Sequence, residues 1–240
     1  MATPVTGIPH PIEALETAER LIIHQQASPN SGPRRSGLRP RYVVIHHTAM
    51  ISAEAAIARL CDPVHEVSAH YVICKTGQIT QLVSEGRRAW HAGAGEWSGH
   101  SDMNSRSIGI ELDNDGQGPF SEPLMNSLEG LLAGMLAAWD IPPHKVIGHS
   151  DMAPGRKSDP GPWFDWARLE AKALARPRGH APAPAATADT FRTMAQRVGY
   201  TADVPDRDLL DAVRLRYRPF AQGPLTQHDL TPLTQNPQGL

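Results

Sequence analysis

The sequence predicts an α/β domain, in which a β-sheet carries helices against it, followed by a small helical module. Three observations lead there. Strand-like and helix-like patterns alternate from residue 41 to residue 175, the order that lays helices on a sheet. An Ala/Pro-rich stretch, Pro177 to Ala188, then interrupts every periodicity and reads as a semi-extended linker. Beyond it, apolar residues recur at helical spacing only. At 240 residues the chain also exceeds the usual single domain of about 100–150 residues, so one main domain with an appendage is expected.

Taken in order, residues 1–27 read as an arm: one amphipathic stretch, Glu13 to Ile23, leads to the turn formers Ser28-Pro29-Asn30-Ser31-Gly32-Pro33. Arg41 to Thr48 is a continuous β-branched run, the pattern of a central strand buried on both faces. Ser52 to Cys61 places Ala53, Ala56, Ile57 and Leu60 at helical spacing, with Ser52 positioned as the cap. Ala69 to Cys74 and Gln78 to Val83 alternate around Lys75-Thr76-Gly77 and predict a hairpin. A Gly/Ser/His-rich loop, Trp90 to Ser105, precedes the strand Ser107 to Leu112. Leu124 to Trp139 is an apolar helix whose inner face is Leu128, Leu131, Leu132, Met135 and Leu136, stopped at Ile141-Pro142-Pro143. Lys145 to Ile147 is a short strand, Gly148 to Pro162 a long loop, and Phe164 to Ala175 a helix.

After the linker, Phe191, Met194, Ala195 and Val198 form a helical stripe stopped by Gly199, and Leu209, Leu210, Val213 and Tyr217 form a second stopped at Pro219. A short turn follows at Gln227 to Leu230. About fifty residues with so little apolar content are marginal alone, so this module is expected to dock on the main domain.

Composition narrows the function. A 40% hydrophobic and 20% charged chain can build a core, which excludes global disorder. The net charge of −2, without any Lys/Arg cluster, argues against nucleic acid as a partner. No apolar run approaches the roughly 20 residues of a spanning helix, and the first residues have no basic and apolar leader, so neither a transmembrane segment nor a signal peptide is expected. Cys61 and Cys74 belong to no C-x-x-C pair; they exclude a disulfide framework and suit a reducing compartment. The unusual count is twelve histidines. Histidine is the commonest metal ligand and the proton carrier of neutral pH, so the chemistry is sought where histidines stand.

Side chains alternate across a strand, so Tyr42, Val44 and His46 share one face while Val43, Ile45 and His47 share the other. Only one of the two histidines can readily enter a given site, and the C-terminal end of a central strand is where α/β sheets put sites. His149 likewise follows directly from the strand Lys145 to Ile147. In the loop after it, Pro160 disfavours helical backbone at Asp159; with Lys157 extended too, a cation and an anion two positions apart face one pocket. Glu111 shares its strand face with Ser107 and Gly109, whose small size leaves space above the carboxylate. Two neutral histidines and one carboxylate give zinc three protein ligands and an open fourth position, the arrangement of a catalytic site. Glu111 can then act as proton acceptor and Lys157 as oxyanion donor. There is no H-E-x-x-H; the ligands lie about a hundred residues apart. Each residue also has a structural alternative: a satisfied core histidine, a solvated strand glutamate, an ordinary surface loop.

The motifs Val44-Ile45-His46-His47-Thr48, Val67-Ser68-Ala69-His70-Tyr71, Ala89-Trp90-His91-Ala92-Gly93, Ser107-Ile108-Gly109-Ile110-Glu111-Leu112 and Gly148-His149-Ser150-Asp151 through Lys157-Ser158-Asp159-Pro160-Gly161 resemble, in order, those of the AmpD-type zinc N-acetylmuramoyl-L-alanine amidases. The resemblance covers roughly residues 28 to 175. It implies a mixed central sheet flanked by helices, shared with phage lysozyme-amidases and peptidoglycan recognition proteins, and a catalytic domain over 28–176. Carried over by motif, His46, His149 and Asp159 match the zinc ligands, Glu111 the catalytic acid/base and Lys157 the residue that stabilises the tetrahedral intermediate. His47, Trp90 and Asn104 fall where the family lines its substrate groove. His70 takes no role beyond a core or supporting position. The implied activity is hydrolysis of the amide between the lactyl group of N-acetylmuramic acid and L-alanine in muropeptides, which are the expected partners of a monomer.

Asp102 and Ser105 depart from the recycling enzymes, which carry a basic residue and an Asp there. Glu111-Leu112-Asp113-Asn114 and Leu215-Arg216-Tyr217-Arg218-Pro219 look more like the two-domain AmiD branch, whose C-terminal helices, here residues 189–240 after the 177–188 linker, resemble a peptidoglycan-binding module. Cytoplasmic recycling is the expectation, with the periplasm or envelope as alternative. The rival functions are a non-catalytic peptidoglycan recognition module of the same fold and a zinc peptidase. On this reading, deleting residues 187–240 weakens binding to polymeric wall more than cleavage of small fragments.

Overall fold

The computed structural model describes residues 21–234. Residues 1–20, with most of the amphipathic stretch from Glu13, and residues 235–240 lie outside the described residues. The β-branched run folds as β3 (Tyr42–His47). It lies between β7 (Ser107–Leu112) and β8 (Val146–Gly148) and is parallel to both. The expected hairpin forms as β4 (Tyr71–Ile73) antiparallel to β5 (Ile79–Gln81), with β4 parallel to β7. β1 (Ile23–Gln25) adds itself parallel to β5, so the described end of the arm is an edge strand of the sheet. The resulting six-stranded mixed sheet runs β1-β5-β4-β7-β3-β8. A separate ribbon pairs β2 (Ser31–Pro33) with β6 (Arg87–Ala89).

Helices follow the signals that predicted them. α1 (Ala53–Cys61) starts where the Ser52 side chain accepts the Ala55 N–H at 3.2 Å. Next come α2 (Met103–Arg106), a single turn that begins inside the stretch expected as loop, and α3 (Glu122–Trp139), whose buried face holds Leu124, Leu128, Leu131, Leu132 and Met135. The loop expected from Gly148 opens with one helical turn, α4 (His149–Met152), and the helix expected over Phe164 to Ala175 is shorter, α5 (Trp166–Ala171). After the linker come α6 (Ala188–Val198), α7 (Asp206–Tyr217) and α8 (Gln227–Leu230). Three-residue strands such as β1, β2 and β6 are too short to impose a period on the sequence, so no pattern announces them.

The faces of β3 explain its unbroken apolar character. Val43 and Ile45 join a core with Leu124, Leu128 and Leu132 of α3 and Trp166 of α5. Tyr42 and Val44, with Ile147, join a second core with Phe191 of α6 and Val213 and Tyr217 of α7. The C-terminal helices therefore cover the second face of the sheet. The linker follows them: Ala183 and Ala186 pack against the same core, and the Gly179 N–H donates to the Pro232 carbonyl at 2.9 Å.

A buried polar junction fastens these helices to the sheet. Arg216 of α7 donates from Nη1 to Asp151 Oδ2 at 2.7 Å, and Tyr200 donates to Asp151 Oδ1 at 2.5 Å. Asp151 Oδ2 also accepts the Gly148 N–H at 2.7 Å, capping α4. The Arg216 guanidinium lies 3.9 Å from the centre of the Trp166 ring. Asp151 and Arg216 are 1% and 4% exposed, so neither charge reaches water. Burial and the Asp151 charge push the Tyr200 hydroxyl well above its usual range. Among the described residues no helix is long and apolar enough to cross a membrane.

Candidate active site

Parallel pairing brings the chemistry to one sheet edge. Because β3 and β7 are in register with His46 opposite Glu111, and β8 ends one residue before His149, three side chains emerge at the C-terminal ends of adjacent strands. The loop after α4 returns Asp159 to them. The ligand atoms of His46, His149 and Asp159 all lie within 4.8 Å of one another. His46 Nδ1 is 2.9 Å and His149 Nδ1 3.1 Å from the same Asp159 oxygen.

This donor set fits a cation. His149 Nε2 lies 2.9 Å from the Ala92 carbonyl, which can only accept; Arg156 Nη2, 3.3 Å from the same nitrogen, gives its two protons to the Ala92 and Ala94 carbonyls, so in the uncharged imidazole Nε2 carries the proton and the lone pair of Nδ1 faces Asp159. A lone pair facing a carboxylate oxygen at 3.1 Å requires a proton or a metal between them. Burial holds the His46 imidazole down at about 4 against the pull of Asp159, so His46 is neutral at pH 7, the form that ligates.

Around these three runs a cleft of about 330 Å³ lined by His47, Met50, Arg59, Trp90, Glu111 and Lys157, among others. Glu111 Oε2 is buried without a hydrogen-bond partner. Burial first, then the Asp159 charge, raise its carboxyl well above the usual range, with Lys157 opposing. Lys157 is exposed and Asp159 buried, and both line this cleft. His47 turns to the other strand face and still reaches the cleft, its ring filling the space beside Gly116, where an added Cβ would come within 2.7 Å.

Asn104 is placed differently from a groove residue. It is buried, and its Oδ1 accepts the backbone N–H groups of His91 at 2.9 Å and Ala92 at 2.8 Å. It shapes the segment that carries Trp90 rather than lining the cleft. His70 is a core residue: its Nδ1 accepts the Gly109 N–H at 2.9 Å, and its Nε2 donates to the Arg87 carbonyl at 3.1 Å. His91 has no role in the motifs, yet its Nδ1 lies 3.0 Å from His46 Nε2. A signal existed: the space expected above Ser107 and Gly109 is filled by the His91 ring, whose Cγ a Cβ on Gly109 would approach to 2.4 Å. Arg59 was likewise unassigned; it comes from α1, whose packing no motif anticipates.

The fold with this site is that of solved cell-wall amidases. It superposes on the complex of AmiD from E. coli with the substrate anhydro-N-acetylmuramic acid-L-Ala-D-gamma-Glu-L-Lys with a TM-score of 0.73, at 28% identity over 87% of this chain and 90% of that one. AmpDh3 from Pseudomonas aeruginosa gives 0.74 at 29% identity, over 83% and 91%. Residues 36–162 match the N-acetylmuramoyl-L-alanine amidase family, and the chain belongs to it. Among curated relatives, Escherichia coli AmiD is 37% identical over 147 residues, 55% of this chain and 52% of that protein. Haemophilus influenzae 1,6-anhydro-N-acetylmuramyl-L-alanine amidase AmpD is 41% identical over 103 residues, 42% and 56%. The chain thus spans about half the length of the curated relatives it matches. The family is zinc-dependent.

Proposed function

We propose that this chain hydrolyses the amide between the lactyl group of N-acetylmuramic acid and L-alanine in peptidoglycan fragments. The observation that carries the reading is Glu111: a buried carboxylate with an unpartnered oxygen, in the same cleft as the metal-ligand set. A recognition module needs no such group, and leaving it unpaired costs about 1–3 kcal/mol or more. Zinc, held by His46, His149 and Asp159, would supply Lewis acidity for the scissile carbonyl. Glu111 takes the proton of the attacking water and returns it to the departing amine of L-alanine; its raised affinity for protons suits both transfers. Lys157, exposed at the cleft, donates to the oxyanion of the tetrahedral intermediate. Trp90 forms an apolar wall of the cleft, whose size admits the muramyl-alanine junction of a fragment. The unpaired cysteines Cys61 and Cys74 fit a reducing compartment, and we place the reaction in the cytoplasm.

Incubation with a defined muropeptide, read by mass spectrometry, is expected to release a stem peptide with L-alanine at its new N-terminus. Cleavage between two amino acids would refute the reading in favour of a peptidase, and binding without any product in favour of a recognition module. Glu111→Ala is expected to keep zinc content unchanged and lower kcat by about 10²–10⁴-fold, the usual worth of a positioned acid/base. Near-full turnover in that variant would remove Glu111 from proton transfer.

A further inference from the structure

We propose that His91 is a positioning residue that sets which nitrogen of His46 is free to bind the metal. The inference rests on the metal site proposed above and on a chain of hydrogen bonds behind it. Ser107 Oγ lies 2.5 Å from the Met103 carbonyl, which can only accept, so the one hydroxyl proton points there. Toward His91 Nε2, 3.3 Å away, Ser107 can therefore only accept. Neutral His91 then carries its proton on Nε2 and offers Nδ1 as an acceptor. Among the described residues the one hydrogen-bonding group before that nitrogen is His46 Nε2, at 3.0 Å, which must be the donor. His46 is left with its lone pair on Nδ1, the atom facing Asp159.

His149 reaches the same tautomer through the Ala92 carbonyl. Both ligands are thus set from behind, by a carbonyl for His149 and by a three-membered relay for His46. The His91 ring has little freedom to leave this position. Gly109 allows it to lie against the β7 backbone, Asn104 holds its main-chain N–H at 2.9 Å, and the His70 ring packs against it in a T-shaped arrangement with centroids 5.7 Å apart. A small residue at 109 and a hydroxyl at 107, on the strand face that also carries Glu111, are what this placement requires.

The test compares zinc affinity of full-length wild type, His91→Leu and His91→Asn by competition with a fluorescent zinc chelator at pH 7, alongside thermal melts of the metal-free proteins. Supporting groups behind metal-bound histidines are worth about 10–100-fold in affinity, and His91→Leu is expected to lose that much. His91→Asn keeps an oxygen where Nδ1 stood and is expected to stay within about threefold of wild type by the same reasoning. Equal affinity in all three proteins, or equal loss in both variants with unchanged melts, would overturn the relay. If His91→Leu fails to melt cooperatively without metal, Ser107→Ala replaces it: weakened zinc binding with an unchanged metal-free melt supports the relay, and unchanged binding overturns it. Failure of wild type to bind zinc would instead overturn the metal site itself.

Discussion

Asp159→Ala is expected to abolish zinc binding and turnover together. The carboxylate is the only anionic member of the ligand set, and both imidazole nitrogens aim at one of its oxygens, at 2.9 Å and 3.1 Å. Without it two histidines remain, too few for a site that needs three protein ligands. Lewis-acid stabilisation is worth several kcal/mol, so the rate should fall by at least about 10³-fold. The measurement is zinc content by mass spectrometry with turnover on a muropeptide. A chelator should lower the melting temperature of wild type and leave Asp159→Ala unmoved, because only a protein that binds the ion is stabilised by it. Stoichiometric zinc in the variant, or turnover by stripped wild type, would contradict the assignment.

Arg216→Ala is expected to destabilise the whole protein. It leaves Asp151 buried at 1% exposure without its cation, and breaking a buried pair this way costs about 3–5 kcal/mol. For a chain of this size that lowers the melting temperature by roughly 6–20 °C. Because Asp151 also caps the turn that carries His149, zinc affinity should fall with it. The double variant Asp151→Asn, Arg216→Met removes both charges and should recover most of the loss; if it melts no higher than Arg216→Ala, the uncompensated charge is not the cause. The same junction alters the expectation for deleting residues 187–240. That deletion uncovers Val44, Ile147 and Met152 and takes away both Arg216 and Tyr200. Activity on fragments and on polymeric wall should therefore fall together, through loss of the fold.

Much of the site is legible before folding. His46 and His149 each stand at the end of an apolar run, and Asp159 precedes a proline, so strand ends and backbone restriction point to them. Alternation alone left His46 and His47 as equal candidates; resemblance of motifs chose between them, and the structure places His46 with the other two ligands. The resemblance of motifs puts Asn104 in the groove, but a buried amide oxygen that accepts two backbone N–H groups supports the loop. His91 escaped because its partners, His46 and Ser107, come from two other strands.

By itself the sequence determined the local structure and the chemical inventory: β3 from its branched run, α3 from its apolar stripe, α6 ended at Gly199, and the residue types able to hold a metal and move a proton. Those follow from backbone preferences and periodicity, which act over a few neighbours. Tertiary structure alone decided that β1 closes one edge of the sheet, that the C-terminal helices cover the second face of β3, and that Arg216 meets Asp151. Contacts between residues 65 positions apart depend on which faces meet once water is expelled, and no local pattern encodes that choice.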